Sequence, residues 1–300
     1  MECRWHTWAA AVLMLVGAGA ATTINVGMLM RLTNDGVDLG SPWKSVAAAS
    51  LLAVNHFNTR NSSLISAFGQ LSSCDVQLAV SPIVYDTQST ELATAKLVVD
   101  GYANWQAIIG PARSATTVTA ATLGGMLKIP QIGYWSSSPT LDDVRDYPYF
   151  GRVCPSDLAT NRARMAYFKQ VNWNRVGLLY INDAWGSPLQ SDLAARFAAI
   201  NGWVLKPQAF SYGNAEEMRS GLMTLKTDEY KIFLYLGYES DTLLVLREAV
   251  TLGLIGKDYA WNFGDIDMVG TEFDEVITNA IKGDLLAAVL TLIASADKLL

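Results

Sequence analysis

Apolar extended runs alternate with amphipathic helical stretches along nearly the whole of this chain, and that alternation leaves few architectures open. Strands that recur only after a helix return in parallel, so the pattern predicts βα units and parallel sheets, an α/β fold. In the first half, extended runs at 24–30, 76–85, 106–109 and 129–134 alternate with helical stretches at 41–58, 89–102 and 114–126. Ser41-Pro42 opens the first of these helices, with Ser41 expected at the N-cap and Pro42 at the first helical position. The second half repeats the scheme, with strands at 176–181, 203–210, 231–236 and 259–263 and helices at 162–171, 187–200, 215–226 and 240–252. Two similar lobes are expected, 21–151 and 152–282, joined by extended crossovers near 152–156 and 283–290, with 283–300 beginning a return to the first lobe.

The first 20 residues read as a secretory signal: Arg4 near the start, an apolar run over 9–16, then Ala18-Gly19-Ala20. That run is shorter than the roughly 20 residues a bilayer span needs, and so is the apolar stretch 285–296. The expected location is therefore the secretory pathway, extracellular or on the outer face of the plasma membrane. A net charge of −6 with no Lys/Arg run argues against nucleic acid as a partner, since phosphate neutralisation dominates such binding. Cys74 and Cys154 remain after signal removal. The layout separates them by about one strand length, roughly 20 Å, whereas a bridge needs Cα atoms within about 7 Å; two unpaired thiols are expected. Asn61-Ser62-Ser63 is a glycosylation sequon on a polar stretch.

The chemistry gathers where strands end. The run 131–134 is followed by Trp135-Ser136-Ser137-Ser138-Pro139, and a later run ends in Cys154-Pro155-Ser156-Asp157. Hydroxyls and a carboxylate at strand ends suit a small polar ligand, because open α/β sheets bind beyond the carboxyl ends of their strands. Ser114 follows Ile108-Ile109-Gly110-Pro111-Ala112-Arg113 at a helix start, where unpaired N–H groups and the helix dipole favour an anion. An ordinary capping serine is the plainer reading of Ser114, turn chemistry before Pro139 that of Ser136 and Ser137, and a helix cap that of Asp157.

These blocks, with Tyr238-Glu239 and Gly256-Lys257-Asp258-Tyr259-Ala260-Trp261, closely resemble the extracellular ligand-binding region of class C G-protein-coupled receptors and receptor guanylyl cyclases, nearest in look to GABA type B and metabotropic glutamate receptors. The resemblance runs from about residue 24 to 289. It implies a bilobed periplasmic-binding-protein type I fold, closing its lobes on a small ligand, an amino acid or related zwitterion, without cofactor. Carried over position by position, it assigns Ser114, Ser136 and Ser137 to the ligand carboxylate, and Asp157 to its amino group. Tyr238 would close over the ligand. Asp265, or Asp267 if that loop slips, would pair with the amine. Trp185 stands where relatives often carry tyrosine, keeping a flat aromatic surface for an ammonium but losing the phenol. Arg113 fits no family position: a solvated surface charge and a contact to a distal carboxylate both stay open. The resemblance also implies further βα units after Gly283, so the first lobe is expected to be truncated here. A membrane connection would then come only through a missing C-terminal part.

Other classes leave weaker marks. Catalytic and metal-binding residues are not expected. His56 is the only histidine after the signal, and no zinc spacing, P-loop or Gly-x-Ser-x-Gly elbow occurs, which argues against a secreted α/β hydrolase. A subunit that binds no ligand and only pairs with a homo- or heterodimeric partner through first-lobe helices is an alternative. Val46, Leu51, Val54 and Phe57 on the 42–58 helix could face such a partner, although core packing is the commoner use.

Overall fold

The structure, a computed structural model, describes residues 22–34, 36–80 and 84–264. These divide into two compact units: residues 22–136 with 144–154, and residues 137–143 with 155–264. Each unit is α/β and built on a parallel sheet.

Unit 1 has β1 (Thr22–Met30), β2 (Thr33–Asn34), β3 (Val37–Asp38), α1 (Ser41–Asn58), β4 (Val76–Ala79), β5 (Tyr85–Asp86), α2 (Glu91–Gly101), β6 (Ala107–Ile109), α3 (Ser114–Leu127), β7 (Gln131–Gly133) and β8 (Phe150–Arg152). Its sheet runs β4-β1-β6-β7-β8 with every pairing parallel, and β5 pairs with the end of β1. The strand β1 is central, and its Val26, Met28, Leu29 and Met30 are all buried. Covered on both faces, it reads as a continuous apolar run rather than an alternation. The hairpin of β2 and β3 is a separate two-stranded piece.

Asp86 ties that region together. Burial opposes its ionisation, but the Thr33 hydroxyl and the amides of Gln88, Leu32 and Thr33 outweigh it and hold the carboxyl below its usual range. Gly110, which follows β6, has φ +89, and a Cβ there would stand 2.1 Å from the Leu29 carbonyl oxygen. Only glycine allows that strand to turn into α3 so close to β1.

One expectation changes in unit 1. The helix α1 begins at Ser41 itself, with Gly40 (φ 82) at the cap position and no side-chain cap. Part of the apolar face of α1 turns inward. Val46, Leu51 and Val54 pack on the core of β1, and Phe57 meets Phe68 edge-on at 5.7 Å. Core packing, the commoner use of such a face, thus engages the first three, each partly buried. Cys74 and Cys154 form no disulfide.

Unit 2 has α4 (Leu158–Gln170), β9 (Arg175–Ile181), α5 (Gly186–Ala198), β10 (Val204–Phe210), α6 (Ala215–Thr227), β11 (Ile232–Leu236), α7 (Glu239–Thr251) and β12 (Ala260–Phe263), together with a 3-10 turn at Pro139–Asp142. The sheet order β10-β9-β11-β12 is parallel throughout. Its core joins β9 and β11 to Phe168 of α4, Leu193 and Phe197 of α5, and Leu222 of α6. Phe168 is completely buried, with Trp173 at 5.6 Å and Phe197 at 6.2 Å between ring centres.

Phe168→Ala removes that ring and leaves a cavity, which should cost about 3–5 kcal/mol, read as a lowered urea midpoint. Alkali gives a second test. Burial pushes the Tyr134 phenol above its ordinary value, and burial with the nearby Asp241 carboxylate does the same to Tyr235. The folded protein therefore keeps two protons that the unfolded chain releases at about pH 10. Their contribution to stability should be full below that pH and fall above it. Replacing both tyrosines by Phe should flatten the alkaline limb of a stability–pH profile.

Candidate functional site

A parallel sheet delivers every strand to the same edge, so the helices that follow start there together. In unit 2, α4, α5 and α7 have Asp157, Trp185 and Tyr238 at their cap positions, and none of the three side chains caps its own helix. They bond in a chain instead. The Trp185 indole Nε1–H donates to Asp157 Oδ2 at 2.7 Å. The Trp185 and Tyr238 rings stack with centroids 5.5 Å apart and planes at 28°. The Tyr238 hydroxyl donates to Asp183 Oδ2 at 2.5 Å. Asp183 Oδ1 accepts the amides of Trp185 (2.8 Å) and Gly186 (2.9 Å). Ser137 donates its hydroxyl to Asp157 Oδ2, while the Asp157 amide donates to the Ser137 carbonyl at 3.0 Å. Thr160 adds a bond to Asp157 Oδ1 at 3.2 Å. Ser138, fully buried, donates to the Ala184 carbonyl at 2.6 Å and so anchors the serine loop to the segment bearing Trp185.

Two carboxylates thus lie among the starts of three helices and accept bonds from all three segments. Two other helices use ordinary side-chain caps: Thr90 accepts from the Ala93 amide at α2, and Asn214 from the Glu217 amide at α6. A side-chain cap contributes about 1 kcal/mol. At α4 and α7 the cap-position side chains are engaged in this network instead.

In unit 1 the strand ends carry cationic and hydroxyl groups. Arg31, just after β1, donates Nε–H to the Ser89 hydroxyl at 3.1 Å, and Arg113 donates to the Ser89 carbonyl at 3.1 Å. The Arg31 guanidinium lies 4.8 Å over the Trp43 ring, which meets Trp135 edge-on at 6.0 Å. Trp135 is 57% exposed. Ser114 is buried as the first residue of α3, with Arg113 at the cap position. The Ser136 hydroxyl is directed into unit 1, donating to the Ala112 carbonyl at 2.8 Å and pairing with Thr117 Oγ1.

Of the residues singled out from sequence, Ser137, Asp157, Trp185 and Tyr238 form one connected group. Ser114 and Ser136 lie in unit 1, and Asp265 and Asp267 lie outside the described residues, as do the signal segment and the 285–296 stretch. Asn61 is exposed and accepts the Ser63 amide at 2.9 Å, an Asx turn over the sequon. Trp185 loses the phenol of a tyrosine but regains a donor through its indole N–H. Arg113 is half-buried and bonded to Ser89 rather than freely solvated. Asp183, Ser138, Arg31 and Trp43 were missed. Asn182-Asp183 directly after a strand was the available signal for Asp183, since Asp in that setting binds amides two residues on. His56 is buried within α1, and no group of three or more His, Cys, Asp or Glu able to hold a metal occurs among the described residues. No helix among them is long and apolar enough to cross a membrane.

Comparison with known proteins places the chain by sequence. Residues 46–292 match the receptor family ligand binding region. Gamma-aminobutyric acid type B receptor subunit 2 of Rattus norvegicus is 27% identical over 237 residues, 78% of this chain and 23% of that protein. Metabotropic glutamate receptor-like protein E of Dictyostelium discoideum is 27% identical over 161 residues, 51% of this chain and 20% of that protein. Glutamate receptor 2.9 of Arabidopsis thaliana is 25% identical over 255 residues, 83% and 25% respectively. The chain spans a quarter or less of the length of these relatives. With the family match covering most of its length and parallel α/β units beneath it, the chain belongs to the receptor family ligand-binding region.

Proposed function

We propose that this chain is the extracellular sensor of a receptor and binds an α-amino acid or a closely similar zwitterion, its two units closing on one ligand. The observation that carries this reading is the pairing of Asp157 and Asp183 with the Trp185–Tyr238 stack at three helix starts. Carboxylates beside aromatic faces suit an ammonium. The start of α3 at Ser114, with Arg31 and Arg113 at neighbouring strand ends, suits a carboxylate. The relatives, named as receptors for glutamate and for gamma-aminobutyric acid, support the same ligand class. An ionised carboxylate offers about four acceptor sites; Ser137, Trp185 and Thr160 occupy three at Asp157, leaving capacity for an ammonium. Asp265 is proposed as a second partner for the amine, and Asn61 as a glycosylated residue.

One observation favours a second reading. Asp157 takes three bonds from side chains of its own unit, an arrangement that would equally serve a subunit that only pairs with a partner.

A thermal melt of the secreted chain against a panel of amino acids and small amines separates the two. Ligand at 100 times its dissociation constant should add about 2.7 kcal/mol, a shift of several degrees. Asp157→Asn should weaken that ligand roughly tenfold or more, and Ser114→Ala should weaken it without unfolding the protein. A cooperative melt that no compound raises would sink the sensor reading and favour the interaction subunit.

A further inference from the structure

Asp183 accepts bonds from two separate segments of unit 2. Oδ1 takes the amides of Trp185 and Gly186 at 2.8 and 2.9 Å, which fastens the start of α5. Helix capping accounts for that oxygen completely. It leaves Oδ2 unexplained, because the bond to the Tyr238 hydroxyl at 2.5 Å does nothing for α5. Tyr238 precedes α7, and its ring lies stacked on the indole whose N–H reaches Asp157.

We propose that Asp183 is a positioning residue that sets the aromatic surface of the site. One oxygen fixes the backbone from which Trp185 projects, the other fixes the Tyr238 ring, and the indole N–H is thereby delivered to Asp157. The side chain is suited to this in length and in charge. A carboxylate presents acceptors in both directions, whereas asparagine must turn an NH₂ donor toward one of them. That the surface receives an ammonium rests on the sensor reading; that Asp183 builds the surface does not.

The test uses the full chain without ligand, in ¹H–¹⁵N spectra of the tryptophan indoles. The Trp185 resonance is identified by its loss in Trp185→Phe. Asp183→Asn keeps an oxygen for the two amides, and Tyr238→Phe leaves both cap bonds untouched. Each should move the Trp185 indole resonance, in the same direction, and the double variant should move it no further than the larger single change, since both act through one bond. A resonance that stays in place in Asp183→Asn, even with a lowered melting temperature, would reduce Asp183 to a helix cap and overturn the proposal. Should Asp183→Asn not fold, Tyr238→Phe decides alone by the same criterion. The wild-type melt against amino acids reports separately. A flat panel with a moved indole removes the ligand reading and keeps Asp183 as positioning residue, and a shifted panel with an unmoved indole does the reverse.

Discussion

Parallel strand order is the constraint from which the rest of this molecule follows. Because β9, β11 and β12 all run the same way, α5 and α7 begin at the carboxyl edge of the sheet, and their unpaired amides and positive dipole ends gather there. Such an edge stabilises carboxylates and suits polar ligands. Asp157 and Asp183 stand at it, and they hold the aromatic pair between them by accepting the Trp185 indole N–H and the Tyr238 hydroxyl. Unit 1 carries cationic groups of its own. Its strand ends bear Arg31 and Arg113, joined through Ser89, beside the start of α3.

The serine run after β7 shows how neighbouring residues acquire different work. Ser136 sends its hydroxyl to the Ala112 carbonyl and Thr117 in unit 1, whereas Ser137 and Ser138 send theirs to Asp157 and Ala184 in unit 2. A buried hydroxyl needs a partner, and each finds the nearest acceptor its backbone direction allows. Ser136 thus serves the packing of unit 1, while Ser137 shares its acceptor oxygen with the Trp185 indole.

Much of the fold was legible because hydrophobic period is a local property. The run 176–181 became β9 at Arg175–Ile181, and 231–236 became β11 at Ile232–Leu236. The run 76–85 read as one strand, whereas β4 ends at Ala79 and β5 at Tyr85–Asp86 is a separate piece defined by its pairing with β1. The start of α1 moved to Ser41 because Gly40, with φ 82, takes the cap position. Apolar residues on α1 left both core and interface open, with core the commoner use, and three of them pack on the core of β1. At the site, residue types were legible and partners were not. Asp157 and Trp185 lie 28 positions apart in the chain, and no sequence period joins an indole to a carboxylate. Asp183 went unread for the same reason, its reach to Tyr238 spanning 55 positions.

The central claim is that the carboxylate-and-aromatic group of unit 2 receives the cationic end of a ligand. A crystal structure of the chain with the amino acid that raises its melting temperature most would test this directly. The account predicts the ligand nitrogen within hydrogen-bond distance of Asp157 and against the Trp185–Tyr238 surface, with the carboxylate at the start of α3. A ligand bound elsewhere, or with its carboxylate toward Asp157, would contradict it.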